Sequence, residues 1–80
     1  MNYKSLEWEK DICNDWNSTA PFGLMLCIRY IKGKYHWDLG NAYTSFTKGS
    51  CTTLEKAKER CNTEYQRYIA DNLERCKIIP

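Results

Sequence analysis

Phe22-Gly23-Leu24-Met25-Leu26-Cys27-Ile28-Arg29-Tyr30-Ile31-Lys32-Gly33-Lys34-Tyr35-His36-Trp37-Asp38-Leu39 is the stretch that decides the fold. In its first half the even positions Phe22, Leu24, Leu26, Ile28 and Tyr30 are apolar. In its second half the odd positions Tyr35, Trp37 and Leu39 are apolar, with His36 and Asp38 between them. Such alternation belongs to strands with one buried face, because successive side chains point to opposite sides of the backbone. The link Ile31-Lys32-Gly33-Lys34 reads as a hairpin turn, Gly33 being free to take positive φ. A two-residue loop at Lys32-Gly33, or a four-residue loop over 31–34, sets Tyr30 opposite Tyr35, Ile28 opposite Trp37 and Leu26 opposite Leu39. A three-residue loop would set Trp37 opposite Arg29 and mix the faces. Since a slip of one residue moves every side chain to the wrong side, the first register is expected. The same parity puts Met25, Cys27, Arg29, His36 and Asp38 on the second face.

Working outward, Leu6 and Trp8 alternate with Glu7 and Glu9, and Ile12, Asn14 and Trp16 alternate with Cys13 and Asp15. This predicts one or two further short strands, joined to the hairpin by an extended Ala20-Pro21-Phe22-Gly23 corner. Downstream, Gly40-Asn41 reads as a turn and residues 43–47 as an edge strand. Gly49-Ser50 supplies a second turn before Thr52-Thr53-Leu54-Glu55, which reads as a capping box with the Thr52 hydroxyl accepting from the Glu55 N–H. Leu54, Ala57, Cys61, Tyr65, Tyr68, Ile69, Leu73 and Cys76 then recur at spacings of three and four, within one arc of roughly 160°. A helix from about 53 to 75 is predicted. Glu64 with Arg67 and Asp71 with Arg75 add ion pairs worth about 0.2–0.5 kcal/mol each.

The expectation is an α+β fold over residues 1–80 as a single domain: an antiparallel sheet of three or four strands packed on one C-terminal helix. Trp8, Trp16, Phe22, Leu24, Leu26, Ile28, Trp37, Leu54, Ala57, Cys61, Tyr65 and Ile69 are expected to supply the core. With 80 residues the chain has room for one small core, and three Trp, six Tyr and two Phe give it bulk.

Charge is nearly balanced at +2, a weaker basic footprint than nucleic-acid binders usually carry. Five cysteines, at positions 13, 27, 51, 61 and 76, form no C-x-x-C pair, and His36 is the one histidine. Neither spacing suits a metal, so free thiols and no metal or cofactor are expected. Met1-Asn2-Tyr3-Lys4 shows no apolar signal stretch, which together with unpaired thiols points to a reducing compartment, the cytoplasm. No apolar run approaches the ~20 residues of a membrane span.

Catalysis needs a nucleophile with a base, a metal set, a carboxylate pair or a phosphate loop. His36 alone could act as a base near neutral pH. Gly23, Gly33, Gly40 and Gly49 are isolated and precede no Lys-Ser/Thr pair, so no phosphate loop is present. The expectation is a protein without enzymatic activity. Met25, Arg29, Lys34, His36 and Asp38 are the candidate partner-binding residues, with an ordinary solvated sheet face as the alternative. The run from Arg29 to Trp37 also interleaves basic and aromatic residues, in a layout resembling plant AP2 and phage integrase arm-binding domains, which read DNA with a sheet. Dense arginines are absent here, and Tyr30, Tyr35 and Trp37 fall on the core parity, so a nucleic-acid partner ranks second. Lys56, Arg60 and Arg67 share the helix face opposite the apolar arc and read as solvated, Glu74 lying in the same stripe.

Trp16, Ala20-Pro21-Phe22-Gly23, Ile28, Tyr35-His36-Trp37, Leu54-Glu55-Lys56-Ala57-Lys58 and Tyr65 together resemble a family of small phage and prophage proteins. Its pattern is a Trp, then Pro-Phe-Gly-x-Tyr-x-Ile, an aromatic pair, and Ser/Thr-Leu-Glu-Glu-Ala-Lys opening a helix that carries a Tyr. The likeness spans about residues 6–70, and departs from the pattern at Leu24 and Leu26, where relatives often carry Tyr. It implies an accessory phage or prophage product in the host cytoplasm that binds and inhibits a host protein, anti-defence proteins of the anti-CRISPR type included. Self-association through the same face competes with that reading.

Overall fold

The computed structural model describes residues 6–74. Five antiparallel strands run in sequence order, each hydrogen-bonded to the next: β1 (Glu9–Lys10), β2 (Trp16–Thr19), β3 (Met25–Ile31), β4 (Lys34–Gly40) and β5 (Ser45–Cys51). A single helix, α1 (Leu54–Tyr68), crosses one face and continues as a π-helical stretch, Ile69–Glu74. The fold is the expected α+β class with five strands rather than three or four.

The central hairpin has the expected register, pairing Tyr30 with Tyr35, Ile28 with Trp37 and Leu26 with Leu39. Its turn is Lys32-Gly33 with φ of 50° and 83°, the left-handed pair that matches the right-handed twist of the flanking strands. Leu24, Leu26, Ile28, Trp37 and Leu39 meet Ala57, Cys61, Tyr65 and Ile69 of the helical layer to form the core. Trp8, Trp16 and Leu54 pack against that core half-buried. The N-terminal segment is tied down twice. Asn62 Oδ1 accepts from the Leu6 N–H, and the buried Ser18 hydroxyl donates to the Glu7 carbonyl at 2.7 Å.

Four expectations are corrected. Phe22 is 50% exposed rather than in the core. Pro21 starts a tight 3₁₀ turn in which Phe22 takes φ 65° and Leu24 N–H returns to the Pro21 carbonyl, so strand parity begins after Phe22. Tyr30 keeps the core parity but is 56% exposed, its ring tilted at 54° against Tyr35 with centroids 4.9 Å apart, at the turn end of the hairpin. Gly49-Ser50 is no turn but the continuation of β5, opposite Trp37 and His36.

The helix, finally, is capped by Thr53, whose Oγ1 accepts from the Lys56 N–H at 3.2 Å. Cys51 is still paired in the sheet, so the chain needs Thr52 as a link and turns into helix one residue later than expected. The reciprocal half of a capping box is then lost, because Lys56 takes the position where a carboxylate would reach back. Glu64 holds both Arg60 and Arg67 at 3.3 Å. The expected pairing of Asp71 with Arg75, and the thiol of Cys76, lie outside the described residues.

Candidate functional site

One helix covers one face of the sheet, and the register orders the other face into rows. Nearest the hairpin turn, Ile31 pairs with Lys34. The next row runs Arg29, His36, Ser50 across β3, β4 and β5, with Asp15 closing it on the β2 side through a 3.3 Å contact to the Arg29 Nε. The third row runs Asn17, Cys27, Asp38, Lys48. The fourth runs Thr19, Met25, Gly40, Ser45. Of the five predicted residues, Arg29, His36 and Asp38 are brought together in adjacent rows. Lys34 stands at the turn end and Met25 at the far end.

The far end is walled. Asn41 Oδ1 accepts from the N–H groups of Tyr43 and Thr44, and the Asn41 N–H donates to the Thr44 carbonyl at 2.9 Å, folding residues 41–44 into a tight turn. That turn leans over the open face because residue 40 is glycine: a Cβ there would collide with the Thr44 carbonyl and stand 2.9 Å from Ser45 Cα. Sheet floor and turn wall enclose a trough of about 910 Å³, lined by Met25, Cys27, Arg29, His36, Asp38, Tyr43 and Lys48 among others. Opposite, the hairpin between β1 and β2 is organised by Asp11, whose carboxylate accepts from the Cys13 and Asp15 N–H groups and from Asn17 Nδ2. These bonds, the Asp15 N–H first, hold the Asp11 carboxyl below the usual carboxylate range. The two turns carry the most exposed apolar side chains described, Ile12 and Tyr43.

Electrostatics on the face are internally balanced. Asp15 answers Arg29, and Asp38 stands opposite Lys48 while accepting from the Ser45 hydroxyl at 2.7 Å. The Arg29 side chain remains 63% exposed, available to a second partner. Ser50 faces His36 and Asp38 follows two residues on, yet no hydrogen bond among the described residues joins the three. Burial pushes the Cys27 thiol up, which disfavours the thiolate a nucleophile requires. The described thiols, Cys13, Cys27, Cys51 and Cys61, are all free. Among the described residues no group of three His, Cys, Asp or Glu side chains could hold a metal ion, and no helix is long and apolar enough to cross a membrane.

Tyr43 was not legible as a site residue, although one signal pointed to it. Residues 16–28 and 39–47 contain no Asp, Glu, Lys or Arg. The fold lays these two stretches side by side at one end of the sheet, where Thr19 pairs with Met25 and Gly40 with both Met25 and Ser45. Comparison of the chain with protein families, curated proteins and solved structures finds no match.

Proposed function

We propose that the protein is a non-enzymatic binding protein of phage or prophage origin, whose open sheet face docks on a host protein and inhibits it, bacterial defence machinery of the CRISPR class being the first target to screen. The observation that carries this reading is the uncovered face itself: Arg29, His36 and Asp38 stand in adjacent rows and line the trough, with no layer of the described residues over them. Specific interfaces use roughly 800 Å² from each partner, and a sheet face with two organised rim turns can offer that. An array that alternates Asp15, Arg29, Asp38 and Lys48 suits a protein surface of matching alternation. A phosphate backbone would meet carboxylates at two of the four positions.

The test is affinity capture on the full-length chain with purified candidate defence effectors, with and without nuclease, scored by inhibition of the effector. Inhibition that survives nuclease and is lost on Arg29→Glu supports the reading. Retention of duplex DNA alone, with steep salt dependence, overturns it in favour of the sheet as a DNA reader.

A further inference from the structure

The outer side of β5 is an open strand edge, lying in the plane of the sheet rather than on its face. β5 is the last strand in the sheet order and runs seven residues, whereas the strand at the opposite edge, β1, has two. The central hairpin determines which backbone groups of β5 are free. A two-residue loop closes on a hydrogen-bonded pair, here Ile31 and Lys34, so even-numbered residues of β4 bond to β3 and odd-numbered ones to β5. Thr47, Gly49 and Cys51 therefore spend their N–H and C=O groups on β4. Those of Lys48 and Ser50 point outward, about 7 Å apart, and no strand among the described residues takes them up. Such edges pair with another extended chain unless proline, a bulge or a charge prevents it. Residues 47–51 contain no proline, and the register shift opposite Leu39 and Gly40 lies before them.

We propose that this edge takes an extended segment of a partner protein as a sixth strand, one that carries Asp or Glu opposite Lys48 and bulky apolar residues at the alternating positions. Free N–H and C=O groups at every second residue match an extended backbone, which pairs with them as a neighbouring strand does. Charge selects a foreign segment over a second copy of this chain. Lys48 is the middle residue of β5, so two such edges paired antiparallel over their full length would set Lys48 against Lys48. An acidic residue in that place reverses the sign of the contact. The helix side of the edge is apolar. Phe46 stacks on Tyr68 of α1 with centroids 4.8 Å apart and stays 37% exposed, a shelf below the strand. At Gly49 the Trp37 ring occupies the place a side chain would take, with Cζ2 2.8 Å from the position of a Cβ. A partner side chain across from Gly49 therefore meets the indole. The trough shares residues with β5, but the ladder needs only its outward backbone and stands apart from docking at Arg29.

The test exposes the full-length chain to a displayed library of random peptides of about ten residues, enough to span β5. Selected peptides are synthesised and titrated while the backbone amides are followed by NMR. The expected peptides have a central Asp or Glu between alternating apolar residues, bind at micromolar concentration, and add exchange protection at the Lys48 and Ser50 amides. N-methylation of alternate peptide residues should abolish binding in one phase and spare it in the other. Ser50→Pro removes an outward N–H without taking a bond from the β4 ladder, and should weaken binding about tenfold or more. Should that variant lose its far-UV circular dichroism, the methylated peptides decide, since they leave the protein unchanged. Lys48→Glu should turn the selection towards Lys and Arg centres, and Arg29→Glu should leave the affinity where it was, which separates this edge from host docking. A library that yields no binder overturns the proposal. So do peptides whose effects fall on Arg29, His36 and Asp38, peptides indifferent to both methylation phases, or Lys48 and Ser50 amides already protected in the free chain.

Discussion

Gly49→Ala should destabilise the protein, although by local propensity it ought to help. Glycine within a strand costs roughly 0.5–1 kcal/mol relative to alanine, so the substitution starts with that advantage. The structure takes it away. A Cβ at position 49 would lie 2.8 Å from Trp37 Cζ2 and 2.9 Å from both Cε2 and Nε1. The indole is itself buried against the core and has no free side to retreat to. Forcing extra volume into such packing costs typically 1–3 kcal/mol, which exceeds the gain. The net loss is on the order of 1 kcal/mol, or about 4–8 °C in Tm for a domain of this size. The assay is thermal and urea unfolding of four proteins: wild type, Gly49→Ala, Trp37→Phe and the double variant. Phenylalanine lacks the ring atoms that alanine would strike, so Gly49→Ala should cost less in that background, with a coupling energy of about 0.5–2 kcal/mol. A rise in Tm for Gly49→Ala alone, or strict additivity in the cycle, would refute the account.

Further outcomes follow from the same geometry. Thr53→Ala should cost about 1 kcal/mol in urea unfolding, while Thr52→Ala stays within about 0.5 kcal/mol of wild type, since Thr53 makes the cap. Burial pushes the Cys61 thiol up to about 12. The folded chain therefore keeps a proton that the unfolded chain releases near pH 9, and stability should fall as pH rises from 9 towards 12. Unfolding measured across that range, beside Cys61→Ala, should show a shallower decline in the variant. Among the described thiols, labelling of the native protein should reach the exposed Cys13 first and Cys61 only after unfolding. Asp11 is depressed, so its contribution to the first hairpin is present above pH 4 and lost as pH falls through its lowered value. Protection of the Cys13 and Asp15 amides, taken relative to their intrinsic exchange rates, should fall in that acid range, and Asp11→Ala should show the lowered protection already at pH 7.

The hairpin was legible because Leu24, Leu26, Ile28, Tyr30, Tyr35, Trp37 and Leu39 keep one face only when the loop holds an even number of residues, and a loop of two or of four gives the same register. The helix was legible in its apolar arc, but its cap was not. Thr52 and Thr53 are both competent caps, and the choice depends on Cys51 remaining paired with Tyr35, a fact about the sheet. Glycine was the main source of error. In sequence Gly49-Ser50 looks like punctuation, and only the position of the Trp37 ring across the strand explains the missing side chain. Proline misled in the opposite way, since Pro21 takes Phe22 out of the alternation that its apolar side chain would begin. For the site, parity placed Arg29, His36 and Asp38 together correctly. It could not join residues 16–28 to 39–47, because that adjacency needs the strand order as well as the strands.

Every strand of this sheet pairs with its neighbour in sequence, and the helix comes last. Such an order bears on time as much as on shape. Local pairings close short loops, which places the chain among the faster-folding mixed domains, and hairpins can form one after another as the polypeptide emerges. The consequence is an exposed interval. Until the helix brings in Ala57, Cys61 and Tyr65, the apolar side chains Leu24, Leu26, Ile28, Trp37 and Leu39 lack the layer that buries them. Docking of α1 is thus the step at which the folding chain withdraws its apolar face from chaperones and aggregation.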